Sequence, residues 1–375
     1  MAELTATNKK IHELRHRGRL NQVNIYIGKF VRMFLYQSDW KALPMAAVIS
    51  YMVALVVRDS CFVTREGTIL GALAITCVAL WNGCFNSIQV ICRERAIIKR
   101  EHRAGMHVSA YVTAHALYQA AVCLAQTGIT LYVFYTARIH FPGTGVMGKS
   151  FILELGITVF LVTYAADLMS LFISSVVHST TTAMTVMPFV LIFQLVFSGA
   201  VFQVPEQLNM LPKLTVSSYG FRCIACQADY NALPMSSGWS TLVKMRDCPL
   251  DATFTIEQLA DALDSDQGAQ IAEIPVEGNL TVGDAVHMMR SSPEWDTVKD
   301  RPVELHMTVG QVVDFFGEDA VKDAVMEKSS ESSINPLYEA DPGTILLCWL
   351  ALGLFVAGFW LLTALSLKFI DRDRR

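Results

Sequence analysis

The chain has 375 residues, 53% of them hydrophobic and only 17% charged, with a net charge of −4. Its mean hydropathy is +0.38. A soluble domain carries about 25% charged residues, so an ordinary water-soluble protein is excluded, and there is no basic excess to hold a nucleic acid.

The first 22 residues are polar, with Lys9, Lys10, Arg15, Arg17 and Arg19. They lack the short apolar core of a cleavable signal peptide, so the first membrane helix is expected to act as its own signal. Residues 22–36 predict an amphipathic helix. Ile27, Phe30, Val31, Phe34 and Leu35 recur at helical spacing, and Lys29 and Arg32 are assigned to the opposite, polar face. Such a helix lies in the membrane interface, and Asp39-Trp40-Lys41 marks the headgroup level.

Six apolar stretches follow: Leu43–Val57, Ile69–Cys92, Ala110–Ala137, Phe151–Val177, Thr182–Val201 and Thr344–Ile370. A bilayer core needs about 20 apolar residues as helix. The pattern predicts an all-α polytopic membrane protein with six transmembrane helices and a large, mainly α extracytoplasmic insert between the fifth and sixth. The expected domains are 1–42, 43–201, 202–342 and 343–375.

Residues 203–342 hold 9 Lys and Arg against 23 Asp and Glu, whereas residues 1–42 hold 8 against 3. Setting the long insert aside, the flanks on the N-terminal side of the bilayer carry 17 basic residues and the short opposite loops carry 4. Cytoplasmic flanks collect Lys and Arg, so both termini are expected in the cytoplasm of a cell-membrane protein and the acidic insert outside.

Between spans two and three, Arg93 to Gly105 alternates charges with Ile97 and Ile98. It reads as a short helix on the cytoplasmic face, stopped by Gly105. Within the insert, Thr255, Thr281 and Thr308 each precede an apolar helical pattern. The spacing implies a three-fold repeat of loop plus Thr-capped helix.

Gly143 to Ser150 fits the G-x-x-x-x-G-K-[ST] phosphate-binding pattern. It lacks the flanking strand and soluble α/β domain the motif needs, so it is read as a Gly-rich turn. Asp167 lies deep in the fourth span, where a carboxylate faces the bundle interior or a water path; a packing hydrogen bond is the plainer alternative. Asn82 and Asn86 share one face of span two and either line a path or bond a neighbouring helix. Glu154, nearer a helix end, is expected to snorkel.

Of nine cysteines, Cys77, Cys84, Cys92, Cys123 and Cys348 are expected to pack in or at membrane helices. A structural disulfide is expected among Cys223, Cys226 and Cys248. No ligand pair is spaced for zinc, and no catalytic constellation is present.

Four elements carry a family resemblance. These are the amphipathic helix before span one; Glu94-Arg95, Glu101 and Gly105 followed by Ser109-Ala110-Tyr111; Phe197-Ser198-Gly199 closing span five; and Ser217-Ser218-Tyr219-Gly220-Phe221 after it. In order and spacing they resemble the membrane domain of ABC-2 type exporters, most closely the G-subfamily, over about residues 22–225 and 343–370. The stretch from Gly105 to Tyr111 is one residue shorter than the common pattern, and the insert is longer. The nucleotide-binding domain usually fused before this domain is not found in the sequence.

The resemblance implies a permease subunit that is not itself an enzyme and carries no cofactor. ATP and Mg²⁺ would sit on a partner ABC ATPase chain, and a second permease copy or homologue would complete a two-fold export path in the bilayer. It implies ATPase coupling through Arg93, Glu94, Arg95, Arg100 and Glu101. Phe197, Ala200 and Val201 would stand where the path narrows, with Asn82, Asn86 and Asp167 as further path candidates. Two rival readings are a membrane-anchored assembly or binding protein whose acidic domain holds a partner, and an intramembrane enzyme using Asp167.

Overall fold

The computed structural model describes residues 18–36, 39–200, 207, 210–263, 275–277, 280–300, 302–332 and 334–369. They form two compact units, Met1–Leu233 with Asn335–Arg375, and Pro234–Ile334.

The first unit is helical. The amphipathic helix α1 (Arg19–Tyr36) buries Phe30 and leaves Leu20 and Tyr36 exposed. A short turn leads to α2 (Ala42–Val57). Thr64 then starts α3 (Arg65–Ser87), its hydroxyl accepting from the Gly67 N–H at 3.2 Å. A break at Ile88 and Gln89 separates α3 from α4 (Val90–Arg103), the charged helix expected after span two. Gly105, at φ +99°, ends α4, with the Met106 N–H returning to the Glu101 carbonyl at 3.0 Å; this left-handed stop is one glycine adopts without strain. Then come α5 (Val108–Thr136), α6 (Phe151–Val176), α7 (Thr180–Val196) and α8 (Val216–Gln227). The last span, Pro342–Lys368, closes the unit, capped by Asp341 at 3.1 Å from the Thr344 N–H.

Among the described residues five helical stretches are long and apolar enough to cross a bilayer: Asp39–Val57, Arg65–Arg103, Val108–Thr136, Phe151–Val176 and Pro342–Lys368. The expected span Thr182–Val201 corresponds to the shorter, 17-residue apolar helix α7, at the lower end of the length that crosses a bilayer. That is about 25 Å of helix against a hydrocarbon core of about 30 Å. Phe197 leaves helical backbone and Gly199 turns at φ +81°, so the apolar run outlasts the helix.

Small residues set the packing. On α2 the buried positions are Ala46, Ser50, Ala54 and Val57, and Ser50 Oγ meets Thr130 Oγ1 of α5 at 3.0 Å. A Cβ on Gly83 of α3 would collide with the Thr163 carbonyl of α6. Such small-residue stripes let membrane helices approach closely.

The second compact unit, Pro234–Ile334, covers only part of the expected insert 202–342. Val216, Phe221, Cys223 and Ile224 of α8 are buried within the first unit, and Gly220 lies so near Val162 that a Cβ would meet its side chain at 2.6 Å. The second unit comprises α9 (Ser237–Lys244), β1 (Pro249–Thr255), α10 (Ile256–Leu263), β2 (Pro275–Glu277), β3 (Leu280–Thr281), α11 (Val282–Arg290), α12 (Trp295–Val298), β4 (Pro302–Thr308), α13 (Val309–Phe316) and α14 (Glu318–Ser332).

This unit is mainly helical, yet its four short strands correct the all-α expectation. β1 pairs antiparallel with β4, from Pro249 opposite Thr308 to Thr255 opposite Pro302, and β2 pairs with β3. The cause is a period-two pattern: Leu250, Ala252 and Phe254 alternate with Asp251 and Thr253, and Val303, Leu305 and Met307 with Glu304 and His306. Helices α10, α11 and α13 begin directly after Thr255, Thr281 and Thr308. Thr308 and Gln311 form a reciprocal capping box, with contacts of 3.3 and 2.9 Å.

Candidate functional site

Two polar networks stand out in the first unit. One joins α1 to α4 and α5 at the charged end of the bundle. Glu94 and Glu101 are seven residues apart on α4, two turns on one face, and both meet α1. Lys29 Nζ lies 3.3 Å from Glu94 Oε2 and 3.7 Å from Glu101 Oε1. The Tyr26 hydroxyl donates to Glu101 at 3.0 Å and the Tyr111 hydroxyl to Glu94 at 3.4 Å. Burial, reinforced by the Glu101 carboxylate, holds the Tyr26 phenol above its usual range, so it remains a donor.

Beneath this network Phe30 packs edge-on against Tyr111 and His115, at 5.5 and 5.1 Å between ring centroids. Gln22 ties α1 to the turn after α4, donating to the Gly105 carbonyl at 3.4 Å and accepting from the His107 N–H at 2.9 Å. Lys29 thus faces α4, not the polar face assigned from periodicity, while Arg32 is exposed. A lysine beside an aromatic stripe, opposite two same-face glutamates, is the signal that pattern-reading passed over.

The other α4 candidates divide. Arg95 turns inward and donates from Nη1 to the carbonyls of Ser175 and Val177, at 3.1 and 3.2 Å. It therefore fastens α4 to the end of α6. Arg93 is half-exposed, with Nη2 3.9 Å from Asp39 Oδ2, and Arg100 is exposed. Of the five coupling candidates, then, Glu94, Arg95 and Glu101 hold the helix in place, and Arg93 and Arg100 face outward.

The second network lies among the spans. Asp167 is fully buried. Its Oδ1 accepts from Ser87 Oγ at 2.6 Å and from Gln119 Nε2 at 3.2 Å, and Gln119 also donates to Ser87 at 2.9 Å. Asp167 Oδ2 has no partner among the described residues. Asn86 pairs both ways with Gln126, at 2.8 and 3.0 Å. Asn82 is 6% exposed. Asp167 therefore opens onto no surface of this protomer. Ser87 and Gln119, which complete its site, lie 80 and 48 residues away in sequence.

At the far end of α7, Phe197 and Ala200 are half-buried, while Val201 lies outside the described residues. Gln194 joins α7 to α8: its Oε1 accepts from the Ser217 N–H at 3.1 Å, and its backbone carbonyl from Ser217 Oγ at 2.5 Å.

The Gly143–Ser150 loop holds a carboxylate of the chain itself. Glu154, 2% exposed, accepts from the N–H groups of Val146 and Met147 at 3.2 and 2.8 Å and from that of Gly148. A Cβ on Gly145 would strike Glu154. Glu154 thus satisfies the loop amides instead of snorkelling.

The disulfide expected among Cys223, Cys226 and Cys248 is not formed, and all three are free thiols. Cys223 and Cys226 are enclosed with Cys348 and Ile345 of the last span, and Cys223 Sγ meets Thr158 Oγ1 at 3.3 Å. Cys248 is exposed in the second unit. Among the described residues no His, Cys, Asp and Glu group is placed to hold a metal ion.

The family model for ABC-2 type transporters matches residues 30–223, more than half of the 375-residue chain. The match runs from Phe30 through α4 to Cys223, and so contains the Asp167 network and the α4 and α5 members of the first network, but not Gln22, Tyr26 or Lys29. No curated protein matches the chain.

Proposed function

The chain belongs to the ABC-2 type transporter family, and we propose that it is the permease subunit of an exporter driven by ABC ATPase domains on a separate chain. The observation that carries this reading is the bracing of α4. Two inward glutamates meet Lys29 and two tyrosines, Arg95 is fixed to the end of α6, and Arg93 and Arg100 project outward. A helix held this firmly transmits a push from an ATPase domain to α1 and α6 together, without deforming locally.

In this reading α4 lies in the cytoplasm, as the excess of flanking Lys and Arg supports, and the acidic unit lies outside. Two copies, or this chain and a homologue, enclose the path. Phe197, Ala200 and Val201 line it, while Asn82, Asn86 and Asp167 act from within the protomer by setting how α3, α5 and α6 pack. ATP and Mg²⁺ act on the partner chain, where hydrolysis occurs.

Arg95→Gln tests the reading. It removes the anchor of α4 to α6 and leaves the outward charges in place. The ATPase subunit should still co-purify, with ATP-dependent transport falling at least ten-fold. Unchanged transport would overturn the coupling role.

A second reading, a membrane-anchored binding protein, draws on the separate compactness of Pro234–Ile334 and its acidic sequence. It predicts that an outer-face partner, and no ATPase, is recovered with the chain.

A further inference from the structure

A cavity of about 350 Å³ opens between α1, the turn at Asp39–Lys41, α3, α4 and α5. Its walls are apolar and aromatic, including Phe30, Phe34 and Phe85. Two further features set it apart from an ordinary packing gap.

The first is charge at one end. Lys41 and Arg93 both line the cavity, with Asp39 as the single acid. Arg93 Nη2 lies 3.9 Å from Asp39 Oδ2, no ion pair of Lys41 is formed among the described residues, and two cations against one acid give the lining a net positive charge. This is also where the apolar run of α2 begins and Trp40 is exposed, the level at which headgroups lie.

The second is an incompletely satisfied polar floor. The lining passes from Arg93 of α4 across the break at Ile88 and Gln89 to Asn86 of α3. There the cavity is lined by His115 and Gln119, 1% and 3% exposed. His115 Nδ1 is buried without a partner. Gln119 commits its amide nitrogen to Ser87 and Asp167, which leaves its carbonyl as an acceptor. Buried polar groups are nearly always paired, so such a floor calls for a ligand that brings hydrogen-bonding atoms down to it.

We propose that this cavity binds one anionic phospholipid from the surrounding leaflet. The phosphate sits between Lys41 and Arg93, the glycerol region reaches His115 and Gln119, and acyl chain lies over Phe30, Phe34 and Phe85. A zwitterionic lipid would bring its own cation to a mouth that is already positive. Free phosphate would satisfy the mouth but leave the walls and floor empty. Lipid binding here is independent of whether the chain works as an exporter subunit.

The test is native mass spectrometry of the full chain, purified in a neutral detergent, delipidated and titrated with phosphatidylglycerol or phosphatidylcholine of equal chain length. One phosphatidylglycerol should be retained, with at least ten-fold preference over phosphatidylcholine, and millimolar inorganic phosphate should not displace it. Lys41→Gln alters an exposed side chain and should cut the preference several-fold. Met184→Trp, at a partly exposed lining position, should block retention by filling the cavity. Equal retention of both lipids, displacement by phosphate alone, or unchanged binding in both variants would overturn the proposal.

Discussion

The two polar networks of the membrane unit solve opposite electrostatic problems. At the α1–α4 junction two carboxylates share one ammonium and two phenols, with water nearby: Lys29 is 28% exposed and Glu101 29%. Around Asp167 the acid is fully enclosed and is met only by the neutral donors Ser87 and Gln119. Charge is matched by charge where α1 meets α4, and a buried acid is met by dipoles where α3, α5 and α6 pack. The first arrangement is stiff because removing a partner leaves a buried ion unpaired. The second holds three helices in register through single hydrogen bonds of modest strength.

Breaking the first network should have the largest effect. Lys29→Met strands Glu94, which is 6% exposed, and should destabilise the unit by about 2.5 kcal/mol. That is less than the loss from a fully buried pair, because the ammonium itself is partly solvated. The check is the thermal unfolding midpoint in one fixed detergent. In the second network Gln119→Leu removes one of two donors to Asp167 and should lose about 1.5 kcal/mol by the same measurement. Thr308→Ala deletes the capping box of α13 and should lower the stability of the acidic unit by about 1 kcal/mol, read by hydrogen exchange of Val309–Phe316 with the exchange of α4 unchanged. Glu101→Gln keeps the bond from Tyr26 and loses only a half-exposed ion pair, so its effect should be about 0.5 kcal/mol. If Glu101→Gln proved as damaging as Lys29→Met, the contrast between an enclosed Glu94 and a solvated Glu101 would fail.

Features fixed by local pattern were legible in the sequence. The amphipathic α1, the charged α4 with its stop at Gly105, and the Thr-led helices of the acidic unit all follow from residues within a few positions of one another. Features that depend on distant partners were not. The β1–β4 pairing joins segments about fifty residues apart, so each strand's short period-two alternation gains its meaning only from a partner far along the chain. Glu154 was read as a snorkelling group because the N–H groups it accepts belong to a loop whose fold is not written in its own residues. The fifth stretch was drawn past the end of α7 because its apolar run continues beyond the turn at Phe197. For Asp167 depth was readable, but the two partners that enclose it come from other helices, so a packing role and a path role looked alike.

The most direct measurement of the central claim, that α4 is where the driving ATPase acts, is recovery of partners from native membranes under gentle detergent. It compares the unaltered chain with a variant carrying Arg100→Glu, a change at an exposed α4 group that belongs to neither network nor to the cavity. The account predicts an ABC ATPase in stoichiometric amount with the unaltered chain and at least ten-fold less with the variant. Equal recovery from both, or no ATPase with either, would contradict it.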